Sequence, residues 1–580
     1  MRKTKIICTL GPATDREGVL RELALSGMDV ARFNFSHGDH ESHLKMLQMV
    51  RGAAEELKLH TAMLLDTKGP EIRTGVFKDG KAELHVGDQF TLTTRQVLGD
   101  NNQSSVTFPD LPGDVQTGSK IMLDDGLIEL EVLRKTDTDV LCRVVNGGEI
   151  SDHKSVNVPG VSLSVPYVSE KDKSDIEFAA QHDFDFIAAS FTRTADDILA
   201  IRRILDKVHC KSIRIIAKIE NSQGVSNIDD IIRVSDGIMV ARGDLGVEVP
   251  FEELPMLQKT LIKKAFYAGK IVITATQMLE SMIVHPRPTR AETSDVANAI
   301  YDGTSAIMLS GETAAGAYPV EAVRTMARIA LRTESDIDYR KRFKLIDLSN
   351  IPDVTNAISH AACSTAYEVG ASAVIAVTNS GTTARMISKF RPSMPIIGCS
   401  PVETVLRQMN MSWGVTPVLV EKADNSDALF EHAVLRARQE NLIQNGDVVV
   451  ITGGLPLGVS GTTNMLKVHL VGNVLLKGTG VNELESIAPL CIAMTEEEAR
   501  AKFNDGDILV IPYTTKDILG IMKRSSGIIT EEPGEDSHAA IVGMALELPV
   551  IVGAYNATHL LKNGMIIKLD AKNGMICSTD

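Results

Sequence analysis

The chain has 580 residues, 44% of them hydrophobic and 23% charged, so at about 150 residues per domain it suits several cores and excludes a small single module or a disordered polymer. Its 60 Lys and Arg against 75 Asp and Glu give a net charge of -15, which offers no basic footprint for a nucleic-acid backbone, though a small anion held by a few local cations is compatible with it. Seven scattered cysteines without a Cys-x-x-Cys pair point to reduced thiols, and the short apolar run of MRKTKIICTLG and the lack of any long apolar stretch predict a cytoplasmic protein with no membrane partner.

Eight short β-rich runs begin near Ile6, Val30, Ala62, Asp185, Arg214, Gly237, Ile271 and Ala306, most of them followed by a helical pattern. Their spacing is close to the roughly 31 residues of one βα unit, which predicts a (β/α)8 TIM barrel over residues 1–71 and 166–342. One interval, from Ala62 to Asp185, is far too long. Within it, alternating strands and the turns KDGK, VGDQ, LDDG and VNGG predict an inserted small β-barrel over 72–165, placed to act as a lid. Residues 343–472 switch to helix and strand in alternation, which predicts an α/β parallel-sheet domain. Residues 473–580 carry a separate pattern, read as an appended swivelling β/α domain.

In a barrel of this kind, chemistry belongs at the C-terminal ends of the strands. Strand two reads ARFNFSH, and its period of two puts Arg32, Asn34 and Ser36 on one face. Strand three, LLDTKGPEIRTG, offers the oxygens of Asp66 and Thr67 and the fork of Arg73. Strand five, IIAKIEN, places Lys218 and Glu220 on one face, and strand six, MVARGDLG, sets Asp244 among glycines that include Gly243. Glu220 and Asp244 suit Mg²⁺ (or Mn²⁺), while a buried ion cluster of Lys218, Glu220 and Arg242 is the alternative. Strands seven and eight supply Thr276, Gln277, Ser310 and Glu312, hydrogen-bonding groups without a nucleophile and base. No Walker loop is present, and His37, His40 and His43, near a helix start, are not read as metal ligands, although His37 can touch substrate. Cations, two carboxylates and hydroxyls are the equipment of phosphoryl transfer.

The ordered motifs LDTKGPEIRTG, AKIENSQG, MVARGDLGVE, ATQMLESM and LSGETAAGAYPVEA resemble the pyruvate kinase family over about residues 1–472. The resemblance implies phosphoenolpyruvate and ADP/ATP as substrates and Mg²⁺ on Glu220 and Asp244, with Arg32 and Lys218 near the substrate phosphate and Gly243, Asp244 and Thr276 in the substrate site. It also implies K⁺ on Asn34, Ser36, Asp66 and Thr67, since Glu71 stands where K⁺-independent members carry Lys. Proton delivery to the enolate is expected from a water at Thr276 and Ser310, and nucleotide phosphates at Arg73 and Lys171, with His37 and Asn34 nearby. A homotetramer is expected as well.

TNSGTTAR resembles the family's sugar-phosphate loop, so Thr378, Ser380, Gly381, Thr382, Thr383 and Arg385, with Gly461 in the facing loop TGGLPLGVSGTT, are expected to hold a phosphorylated-metabolite effector. The segment EDSHAAIVGMALELPVIVG resembles the phosphohistidine domain of phosphoenolpyruvate-utilising enzymes, but Asp536 stands where those proteins carry Thr beside Ser537 and His538. That carboxylate opposes a phosphoryl group, so a structural or regulatory tail is expected here. Two alternatives remain: a Mg²⁺-dependent lyase or aldolase acting on an enolate, and a phosphocarrier working through His538.

Overall fold

Eight parallel strands close into a ring in the computed structural model, which describes residues 1–346, 353–423, 425–454 and 463–579. They are Lys5–Thr9, Val30–Asn34, Ala62–Asp66, Phe186–Ala189, Arg214–Ile219, Gly237–Ala241, Ile271–Ala275 and Ala306–Leu309, each paired with its neighbours in sequence and the last with the first. The ring is the predicted TIM barrel. Alternation along each strand decides what faces where: Ile7, Val30, Leu64, Ala188, Ile216 and Met239 fill the axis, whereas Ile6, Cys8, Phe33 and Leu65 face the surrounding helices. Continuing the inward parity by two residues brings Arg32, Asp66, Ser190 and Lys218 to one rim.

The insertion after strand three consists of a six-stranded sheet and a two-stranded ribbon, Lys81–Leu84 with Gly148–Ser151. Both contribute to one core, in which Leu84 and Ile150 join Phe90, Leu92, Ile121, Leu130 and Val140. Along Ile128–Lys135 buried and solvent-facing residues alternate, as a sheet with one dry face requires.

The chain divides into two compact units. One holds residues 1–360, 376–422 and 453–464, and the other 361–375, 423–452 and 465–580. In the first unit, past the barrel, strands Ile396–Ser400 and Val415–Leu419 pair in parallel around helix Glu403–Met409, the βαβ pattern expected there. In the second, an eight-stranded sheet includes the parallel run Glu485–Ile492, Ile508–Ile511, Gly527–Thr530 and Val550–Val552, and helix His538–Ala545 contributes Ala539 and Ala540 to a core with Ile528 and Val550. No described helix is long and apolar enough to cross a membrane.

Candidate active site at the barrel mouth

Asp66 ends the third strand and is only 1% exposed. Arg32 Nε donates to its Oδ2 at 2.6 Å, and Lys218 Nζ lies 3.1 Å from Oδ1. Lys218 also stands 2.8 Å from Glu220 Oε1 and donates to Ser190 Oγ at 2.8 Å. The backbone N–H of Phe191 donates to Glu220 Oε2 at 2.6 Å. Arg32 is steadied in turn by Thr9 Oγ1, 2.9 Å from its Nη1. Five strands thus contribute to one buried, nearly neutral lattice of charges.

The lattice sets the protonation of its members. Burial opposes the charge on Asp66, but Arg32 and Lys218 outweigh it and hold the carboxyl below the usual carboxylate range. Burial likewise opposes the charge on Lys218, yet Asp66 and Glu220 raise its ammonium above the ordinary lysine value. Asp244 behaves in the opposite way. It sits in the first turn of helix Arg242–Glu248, where burial and then the Glu220 charge push its carboxyl up to about 7.

Asp244 has no hydrogen-bonding partner among the described residues. Two carboxylates close enough to repel each other, one of them without a donor, form a set that a hard divalent cation fits. No group of three His, Cys, Asp or Glu able to cage a metal exists among the described residues, so such an ion would complete its shell from water and substrate, the habit of Mg²⁺.

The seventh strand ends in unusual backbone. Thr276 and Gln277 have φ values of 66° and 53°, a conformation that costs a β-branched residue free energy. Neighbours hold it in place: Gly243 N–H donates to Thr276 Oγ1 at 2.8 Å, and Arg242 Nη2 donates to the Thr276 carbonyl at 2.6 Å. Arg242 is anchored by Asp295 at 2.7 Å, so the grouping of Arg242 with Lys218 and Glu220 does not form. Glu312 is structural too, bracketing the N–H groups of Leu279 and Ser310 at 3.0 and 2.7 Å. Ser310 Oγ is buried without a partner among the described residues.

On the second strand, Asn34 is the register partner of Asp66, and its Oδ1 accepts from Ser36 N–H at 3.2 Å. Thr67 Oγ1 accepts from Ser190 N–H at 3.1 Å. Asn34, Ser36, Asp66 and Thr67 are therefore oxygen-bearing neighbours of the kind a monovalent cation takes.

The remaining residues lie around this cluster with partners of their own. Arg73 grips Glu71 with both arms, at 2.6 and 2.8 Å, and reaches the His153 carbonyl at 2.6 Å. Lys171 Nζ lies 2.7 Å from the Phe35 carbonyl and 2.9 Å from Asp175. His37 is exposed, and its carbonyl is 2.9 Å from His43 Nε2, while His40 pairs with Asp175 at 2.7 Å. Between the insertion and the mouth, Glu71, Asn157, Phe191, Asp244 and Glu248 line a cavity of about 80 Å³.

Ser190 and Thr9 were missed from sequence, although counting inward parity along strand four would have found Ser190. Asp125 of the LDDG turn was also missed, and its charge acts on both Asp244 and Arg73.

In the loop after Ala373–Val377, Gly381 takes φ 75° and opens helix Thr382–Lys389. Ser380 Oγ lies 3.0 Å from Thr382 Oγ1, Thr383 Oγ1 lies 2.8 Å from Thr463 Oγ1, and Arg385 donates to Thr382 Oγ1 at 3.1 Å. Ser380 N–H faces Thr378 Oγ1 at 3.4 Å, and Gly461 falls outside the described residues. In the second unit, His538 Nδ1 is 2.9 Å from Thr514 Oγ1.

Residues 1–323 match the family model of the pyruvate kinase barrel domain, 356–469 that of the pyruvate kinase alpha/beta domain, and 503–574 that of the mobile domain of PEP-utilising enzymes. Curated pyruvate kinases from Geobacillus stearothermophilus and Sporosarcina psychrophila are each 48% identical, covering 99% of this chain and 98% and 99% of their own lengths. A crystal structure of a pyruvate kinase from Cryptosporidium parvum superposes with a TM-score of 0.77 at 41% identity, over 81% of this chain and 96% of that one. With its barrel, its rim of charges and these relatives in agreement, the chain belongs to the pyruvate kinase family.

Proposed function

We propose that the barrel mouth transfers the phosphoryl group of phosphoenolpyruvate to ADP, giving pyruvate and ATP, with Mg²⁺ on Glu220 and Asp244 and K⁺ on Asn34, Ser36, Asp66 and Thr67. The observation that carries this reading is the meeting of Arg32, Asp66, Lys218 and Glu220 at one rim, with Asp244 within reach of the Glu220 charge. When bound, the two cations supply positive charge against the phosphoryl oxygens.

The chain's own residues do the rest. Arg32 orients the substrate phosphate with its planar fork, and Lys218 sets its ammonium against charge developing on the enolate oxygen. As the bond from phosphorus to the enol oxygen breaks, a new one forms to the terminal oxygen of ADP. The enolate then takes a proton on its methylene carbon from a water held between Thr276 and the unpartnered Ser310 hydroxyl. Thr276 can do this because Gly243 and Arg242 fix both its hydroxyl and its carbonyl. Arg73 and Lys171, with His37 and Asn34, receive the nucleotide by exchanging their present partners for its phosphates.

The same reading includes a phosphorylated effector on Thr378, Ser380, Gly381, Thr382, Thr383, Arg385 and Gly461, a cytoplasmic location and a homotetramer, which light scattering checks. His538, engaged by Thr514, belongs to a structural or regulatory tail. A pyruvate-release assay with and without ADP, Mg²⁺ and K⁺, repeated over a panel of phosphorylated metabolites, tests the reaction. Release is expected only with all three present; release without ADP would move the chain to the lyase or aldolase class.

A further inference from the structure

At the foot of the barrel, away from the mouth, a cavity gathers Lys270, Arg385, Lys389 and Arg391 together with Ser412 and Trp413. No Asp or Glu lines it, and none of the four cations forms an ion pair with a carboxylate among the described residues. Their partners are neutral: Lys270 donates to the Ser235 carbonyl at 2.6 Å, Lys389 to Asn356 Oδ1 at 2.9 Å, and Arg391 to the Gly303 carbonyl at 2.9 Å and Ser305 Oγ at 3.2 Å. Arg385 turns back to the Ser380 carbonyl and Thr382 Oγ1.

Two further groups remain unused. Arg391 Nε and Ser412 Oγ are both buried without a partner among the described residues, and Ser412 is only 2% exposed. The Arg391 guanidinium is held over the Trp413 ring at 4.8 Å, which fixes its plane. A buried donor left unsatisfied costs about 1–3 kcal/mol, and buried charges of one sign without a counter-ion cost more.

We infer that this cavity is an anion site, separate from the mouth, that takes the phosphate group of a small metabolite between Lys270, Lys389, Arg391 and Ser412. Its volume of about 20 Å³ is too small for a whole metabolite, so the ligand enters phosphate first and leaves its body at the opening. Lys270 also lines a wider groove with Tyr267, Lys263 and Lys264, which gives that body a place to lie. The titration behaviour agrees. Burial pushes Arg385 down to about 10 and Arg391 to about 9, and lowers Lys270 and Lys389, outweighing the more distant charges of Asp236, Glu334 and Asp353. Arg385 is shared with the loop Thr378–Arg385, so an anion here would compete for the side chain that braces that loop.

The test is calorimetric titration of inorganic phosphate into the full chain, with phosphoenolpyruvate and Mg²⁺ saturating the mouth and with Thr382→Ala and Thr383→Ala disabling the loop. One saturable site per chain is expected. Lys270→Met and Lys389→Met, each checked for native circular dichroism, should weaken it about tenfold, and Ser412→Ala by less. Absence of saturable binding, or binding that neither lysine variant alters, overturns the assignment. Ribose 5-phosphate separates an ester from the free ion: it is expected to displace inorganic phosphate from the same site, and the tighter of the two identifies the class of ligand. Failure to compete also overturns the proposal.

Discussion

The mouth and the foot of the barrel both bury cations, and they do so in opposite ways. At the mouth Lys218 meets two carboxylates and its ammonium is raised, whereas at the foot Lys270 meets a carbonyl and its ammonium is lowered. The difference lies in the partner rather than in depth. A self-neutral cluster accepts ligands by exchanging partners one for one, so it can bind a metal and a phosphate together. At the foot the cations hold carbonyl, amide and hydroxyl partners in place of ion pairs, so an arriving anion displaces no carboxylate.

The largest way to break this contrast is Lys218→Met. Pyruvate formation should fall about 10³-fold, because the charge facing the enolate is gone. Asp66 and Glu220 would then lie buried and repel each other, so denaturant titration should show a loss of about 3–5 kcal/mol. A variant with near-parent turnover would remove Lys218 from the chemistry.

The next effect comes from Asp244. Its carboxyl is raised to about 7, so below that pH it is protonated and must release a proton before it can ligate. Mg²⁺ affinity is therefore expected to fall about tenfold from pH 8 to pH 6, read as the activation constant at each pH. A flat profile would mean that burial and the Glu220 charge do not raise Asp244 as described. Glu71→Lys sharpens the comparison by installing a fixed cation at the mouth: stimulation of turnover by K⁺ should shrink to within about twofold of none. Equal parent rates with and without K⁺ would cancel that reading. The smallest effect is expected from Thr382→Ala with Thr383→Ala, which should weaken effector activation about fivefold while leaving basal turnover in place. Unchanged activation would place the effector elsewhere.

Much of this architecture was legible in the chain itself. The expected strand starts at Val30, Ala62, Arg214, Gly237, Ile271 and Ala306 coincide with the observed ones, because buried parallel strands read as short apolar runs at a fixed spacing. The shared face of Lys218 and Glu220 followed from period two. Partner choice was not legible. Whether Arg242 goes to Glu220 or to Asp295, and whether Arg73 is free or gripped by Glu71, depends on distances across the fold that local pattern does not contain. The left-handed backbone at Thr276 is likewise imposed from outside, since nothing in ITATQ favours it over extended chain.

Strand five carries a mechanical corollary. Its first residue, Arg214, donates to the Ser380 carbonyl at 2.9 Å, and four residues on, Lys218 reaches Asp66 and Glu220. That span is about 13 Å of extended chain, paired with strand four over Arg214–Ala217 and with strand six over Ile216–Ile219. One strand of the barrel wall therefore joins the Ser380 loop at its foot to the lysine at its mouth.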